Sequence, residues 1–220
     1  MQSTSLRLPD FLVIGTQKGG TTSLQQLLAR HRQVFLPPCK EVHYFSLHHE
    51  QPASWYAAHY SDATDGQLCG DITPFYLFHP EIPRRIRALL PQVKLLNIVR
   101  NGIEVVSSRM RHRAIGQLPF ERHCRAWSRA VDVVQWAGDD PFFKLVRHEQ
   151  LLTDELPKLF AEIQQWAGLT GSDDCCQYVQ QNLINTTSGS ARAADKPDVL
   201  VNRSERWRDW TGEQRALFQQ

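Results

Sequence analysis

The stretch "DFLVIGTQKGGTTSLQQLLARH", residues 10–31, constrains the fold more than any other part of the chain. Phe11 to Ile14 are continuously apolar and end at Gly15. A short unbroken apolar run is the pattern of a strand buried on both faces, as in a parallel sheet. Glycines at 15, 19 and 20 supply a turn, and Leu24, Leu27 and Leu28 then recur at helical spacing. A strand, a glycine loop and a helix in that order aim backbone N–H groups and a helix N-terminus at an anion.

The same alternation continues. "QLCGDIT" reads as a second strand, "VKLLNIV" (93–99) as the clearest one and "FFKLVRH" as another. Between and after them lie helical stretches: "HPEIPRRIRALLP", residues 102–113, residues 119–138, and "PKLFAEIQQWAGL" with Pro157 near its start and Gly168 at its end. Strands alternating with helices predict an α/β fold, a central parallel sheet flanked by helices and joined by right-handed crossovers. A chain of 220 residues with 41% hydrophobic content fits one such domain over 1–220. Residues 184–206 are polar, small and basic, and are expected to be a long functional loop touching donor and acceptor.

Composition narrows the function classes. A net charge of +2 gives no basic field of the kind nucleic acids require. No apolar run has the length of a membrane span, and "MQSTSLRLPDF" has no signal-like core. Five cysteines without a C-x-x-C spacing suit a reducing compartment, so a cytoplasmic protein is expected. The nine histidines show no metal-ligand spacing, so no metal is expected. Arginine makes up 19 of the 25 basic residues. Its planar fork suits phosphate and carboxylate, although surface charge and coding bias explain such a count equally well.

The loop itself carries the sharpest chemistry. An ATPase loop reads G-x-x-x-x-G-K-[ST]. Here Gly15 and Gly20 keep the glycine spacing, but Thr21 follows in place of lysine, and the lysine is Lys18 within the loop. Thr21 and Thr22 can bond one terminal phosphate, and Lys18 is placed to meet the atom bridging it to a transferred group. "G-x-x-K-G-G-T-T" after an apolar strand resembles the phosphosulfate loop of the PAPS-dependent sulfotransferases, closest in style to glycan-type and bacterial members. PAPS is the 3′-phosphoadenosine 5′-phosphosulfate donor, and its spent product is PAP, the 3′,5′-bisphosphate. The resemblance implies that Gly15, Thr16, Gln17, Lys18, Gly19, Gly20, Thr21, Thr22 and Ser23 surround the 5′-phosphosulfate.

Three further segments are similar to that family. "LLNIVRNGIEVVSS" (95–108) resembles its strand-then-helix 3′-phosphate segment, which implies Arg100 and Ser108 as ligands, although Gly102 and Val105 depart from the pattern. "NRSERWRDWTGEQ" (202–214) resembles its C-terminal loop, which implies that Arg203, Arg206 and Trp207 close over the 3′-phosphate and adenine. "PPCKEVHYFS" (37–46) resembles the acceptor segment, which implies Glu41 as general base and His43 as its partner. A carboxylate suits that work when its pKa is raised. Glu41 and His43 share one face if the segment is extended, with Lys40 pointing away. "GDITPFYLF" (70–78) is similar to the acceptor-cleft segment, which implies acceptor contacts from Asp71, Thr73 and Tyr76, with Lys40 of the preceding segment beside them. Ile72 stands where that family carries lysine, which argues against a highly sulfated polyanion.

The expectation is a metal-independent enzyme that moves a sulfuryl group from PAPS to a hydroxyl or amine of a small molecule or sugar. Lys18 would stabilise the leaving phosphate. Two alternatives stay open: a P-loop nucleotide kinase or NTPase, and a non-catalytic relative that binds PAP or a nucleotide. Against the first stand the missing lysine after Gly20 and a strand that ends in Arg100-Asn101 rather than aspartate.

Overall fold

A computed structural model describes residues 6–137, 140–170 and 204–219. The apolar runs form a five-stranded sheet: β1 (Phe11–Gly15), β2 (Val34–Phe35), β3 (Leu68–Ile72), β4 (Lys94–Val99) and β5 (Phe143–Arg147). The order across the sheet is β2-β3-β1-β4-β5, and every pair is parallel. The helices are α1 (Thr21–Leu28), α2 (Ala53–Ala58), α3 (Ile82–Leu89), α4 (Gly102–Met110), α5 (Phe120–Ala137), α6 (Leu156–Ala167) and α7 (Gly212–Phe218). Short 3₁₀ turns lie at Pro74–Phe78, His148–Leu152 and Ser204–Asp209.

All five residues of β1 are buried, because successive side chains enter different cores. Phe11 and Val13 join Leu96, Ile98 and the buried faces of α1 and α6. Leu12 and Ile14 join Tyr56, Tyr60, Tyr76, Ile82 and Ile86 on the opposite side. Each fully buried Leu, Ile or Phe contributes about 1.5–3 kcal/mol. α6 stops at Gly168, whose φ of 84° takes the left-handed cap that its position in the sequence suggested. β2 is the strand not foreseen. Its two residues are too short to show any period, and the prolines at 37 and 38 end it.

Strand order positions the site. From β1 the chain leaves through α1 toward β2, whereas from β4 it leaves through α4 toward β5. The connections diverge outside the carboxyl ends of two neighbouring strands, and such a crevice is where open parallel sheets bind ligands. Gly15 ends β1 there and Val99 ends β4. The tail returns to this edge, where Trp210 packs edge-on against Phe120 and Phe218, at 5.1 and 5.2 Å between ring centroids. Of the expected long loop, 184–203 lie outside the described residues.

Candidate active site

Residues 16–20 form the loop between β1 and α1. It is tied at its base, where Thr16 N–H donates to the Ile98 carbonyl at 2.9 Å and Gly19 N–H to the Thr16 carbonyl at 2.8 Å. Gly20 occupies the N-cap of α1 with φ 104° and offers no side-chain cap. The first N–H groups of the helix are therefore left to an outside acceptor, and the helix dipole favours a negative one. The Thr16 hydroxyl is buried without a hydrogen-bond partner.

Lys18 sits in this loop at φ 69°, half-buried and without an ion pair among the described residues. Burial lowers the pKa of its ammonium, and Lys40, Arg100, Arg109 and Arg111 lower it further. Cations gathered around a desolvated lysine make a site that an anion would stabilise. Lys40 donates to the Thr22 hydroxyl at 2.7 Å. That bond joins the 40–41 segment to the first turn of α1. Arg100 leaves the end of β4 with its backbone carbonyl held by the Trp127 indole at 3.0 Å. Its guanidinium bonds Glu104 at 2.6 Å and reaches the Lys18 carbonyl at 3.4 Å. Glu104, in the first turn of α4, went unforeseen; its place four residues after Arg100 was the available signal. Ser108 lies partly buried on α4, and its neighbour Ser107 buries a hydroxyl that has no partner.

The loop thus offers orphan N–H groups, an unpartnered Thr16 hydroxyl and an unpaired lysine. Their chemistry fits an anionic group such as the phosphosulfate end of PAPS. Of the expected adenine-side residues, Arg203 lies outside the described residues, and nothing is described of the side chains of Ser204–Arg206. Trp207 is exposed, with the Arg215 guanidinium 5.6 Å from its ring centroid.

Glu41 and His43 do meet, but not on an extended segment. Both residues have positive φ, 87° and 57°, and the turn brings Nε2 of His43 to 3.3 Å from Oε2 of Glu41. Burial raises the Glu41 carboxyl above its ordinary pKa, while His43 and Lys40 pull it back. The other ring nitrogen of His43 bonds the Ser46 hydroxyl at 3.0 Å.

Asp71, Thr73 and Tyr76 were expected at the acceptor, and the structure buries all three. Asp71 accepts hydrogen bonds from the hydroxyls of Tyr56 and Tyr76, each at 2.7 Å, and of Thr73 at 2.6 Å. Thr73 in turn accepts from the backbone N–H of His43 at 3.5 Å. The cluster supports the His43 turn from below. Ile72, read as the loss of a cation from the cleft, is a buried core residue.

Sequence reasoning missed Arg109. This side chain is 5% exposed, donates to the Gln17 amide oxygen and leaves its Nε without a partner. Burial brings its pKa down to about 10.

A family model described as "Sulfotransferase domain" matches residues 8–142, more than half of the chain. The membrane-associated sulfotransferase kil1 of Dictyostelium discoideum is 37% identical over 102 residues, 45% of this chain and 22% of that protein. Human heparan sulfate glucosamine 3-O-sulfotransferase 6 is 37% identical over 97 residues, 44% of this chain and 28% of that protein. The match thus spans about a quarter of the length of these relatives. Among solved structures, a sulfotransferase from Alicyclobacillus acidocaldarius superposes with TM-score 0.61 at 21% identity, covering 79% of this chain and 90% of that one. Mouse sulfotransferase SULT7A1, solved with PAP, gives 0.65 at 14% identity, covering 97% and 82%. At such identities the likeness is one of fold.

Proposed function

Because this chain belongs to the sulfotransferase-domain family, we propose that it moves the sulfuryl group of PAPS to a hydroxyl or amine of a small molecule or sugar. The observation that carries this reading is Lys18. It is a desolvated ammonium without an ion pair among the described residues, in a loop that opens onto a helix N-terminus. Glu41 and His43 stand nearby, because Lys40, next to Glu41, donates to Thr22 of that helix.

The step balances without a metal. The acceptor oxygen or nitrogen attacks sulfur, the bond from sulfur to the 5′-phosphate oxygen breaks, and its electron pair stays on the phosphate of PAP. Lys18 stabilises the charge growing on that oxygen. The acceptor proton passes to Glu41, whose raised pKa strengthens it as a base and whose position His43 fixes. In-line transfer through a loose transition state leaves most of the catalysis to positioning and electrostatics, as in phosphoryl transfer. Arg100 and Ser108 would take the 3′-phosphate, and Arg203, Arg206 and Trp207 the adenine side. Among the described residues no group of three or more His, Cys, Asp or Glu could hold a metal ion, and no helix is long and apolar enough to cross a membrane. A cytoplasmic location is part of the same proposal and rests on cysteine usage.

The test follows PAP release from PAPS with a panel of hydroxylated and amine acceptors. Lys18→Met and Glu41→Gln should each abolish most of the turnover. Unchanged turnover in both variants would overturn the site assignment.

A further inference from the structure

A cavity of about 500 Å³ opens beside the reacting groups, with Gln17, Phe75, Phe78, Arg109, Leu118 and Arg125 in its wall. It touches both halves of the site. Gln17 is the neighbour of Lys18, and Phe75 packs edge-on against His43, 5.6 Å between ring centroids. A molecule filling the cavity therefore has one side at Gln17 of the donor loop and another at Phe75, whose ring packs against His43 of the Glu41–His43 pair.

The cavity wall is largely apolar, yet its charges have one sign. The buried guanidinium of Arg109 lies 5.2 Å from the Phe78 ring centroid and bonds Gln17, and no carboxylate pairs with it among the described residues. α5 adds Arg122, Arg125 and Arg129 at i, i+3 and i+7, one face of a helix. Arg129 donates to the Phe78 carbonyl at 2.8 Å. Neither Arg122 nor Arg125 pairs with a carboxylate among the described residues. An apolar chamber with several unneutralised arginines binds a molecule that is greasy in its body and anionic at one end. Its volume lies in the range of sites for drug-sized ligands.

Building on the sulfotransferase reading, we propose that this cavity is the acceptor site and that the acceptor is a small amphipathic carboxylate. Such a molecule has an aromatic or apolar body between Phe75 and Leu118, its reacting hydroxyl or amine at Glu41 and its carboxylate on the arginines of α4 and α5. The cationic character thought lost with Ile72 enters from these helices instead.

Calorimetric titration tests this with para-coumarate, its amide, and a heparan sulfate tetrasaccharide, each added to the full chain saturated with PAP. Para-coumarate should bind saturably, with the amide weaker by roughly tenfold, about one charge-assisted hydrogen bond. Arg125→Gln, an exposed position that leaves the core intact, should remove most of that preference and leave PAP binding unchanged. Arg122→Gln should act in the same direction. Equal affinity for acid and amide overturns the proposal. So does displacement of para-coumarate by PAP, binding of the tetrasaccharide alone, or an unaltered preference in both variants. Repeating the titration on the free chain separates the two readings. Preference for the acid without any PAP binding overturns the donor assignment and leaves the acceptor site standing.

Discussion

Nε2 of His43 stands 3.3 Å from Oε2 of Glu41 across a turn in which both residues have left-handed backbone. Non-glycine residues adopt that conformation at a cost of roughly 1–2 kcal/mol each. The surrounding structure holds them there, with Thr73 accepting from the His43 N–H and the His43 ring packed edge-on against Phe75. If Glu41 is the base, Glu41→Gln lowers kcat by about 10²–10⁴-fold and leaves the affinity for PAP unchanged. Steady-state kinetics beside a PAP titration check both halves.

The pH profile should follow the two shifted groups. Glu41 must be ionised to act, and burial raises its pKa, so kcat/KM rises with pH through a value above the ordinary glutamate range. Lys18 must be protonated, and burial with the neighbouring cations lowers its pKa, so activity falls again below the ordinary lysine value. The residual activity of Glu41→Gln should lack the acid limb and keep the alkaline one.

Gly20→Ala should damage the donor loop. At φ 104° an alanine is strained by roughly 1–2 kcal/mol. Its Cβ would also fall 2.1 Å from Cδ2 of His148, a buried ring rather than a flexible tip. The expected result is a lower Tm and a PAP affinity reduced at least about tenfold, measured by melting with and without PAP.

Asp71→Ala leaves the hydroxyls of Tyr56, Thr73 and Tyr76 without their acceptor in the core. Three such groups predict a loss of at least ~3 kcal/mol, read by urea unfolding. Burial raises the Asp71 pKa despite its three donors. A folded value above the unfolded one means that stability is fully present below the unfolded pKa and declines as pH rises through the folded pKa. Asp71→Asn should be milder than the alanine variant and should remove that decline.

Much of this was legible because it is local. The unbroken run Phe11–Gly15 could be little other than a buried strand, and the glycines around Lys18 required a turn. What stayed hidden was direction. The order of residues in "GDITPFY" names Asp71, Thr73 and Tyr76 but not the side of the sheet they enter, and the structure turns all three into the core. The Glu41–His43 contact was anticipated through an extended segment and is made by a left-handed turn, which no residue type there announces. The arginines of α5 had a readable helical spacing, but only the position of Phe78 and Arg109 shows that they line a cavity rather than a solvated face.

The central claim is that the loop around Lys18 holds the phosphosulfate end of PAPS. Its most direct measurement is a thermal shift with PAP, beside ATP with and without Mg²⁺. Ligand at about 100 times its Kd adds about 2.7 kcal/mol, which for a chain of this size raises Tm by roughly 5–11 °C. The expected result is a metal-independent shift with PAP, little with ATP, and loss of the PAP shift in Lys18→Met. A shift with Mg–ATP alone would contradict the claim and make this loop part of a nucleotide kinase.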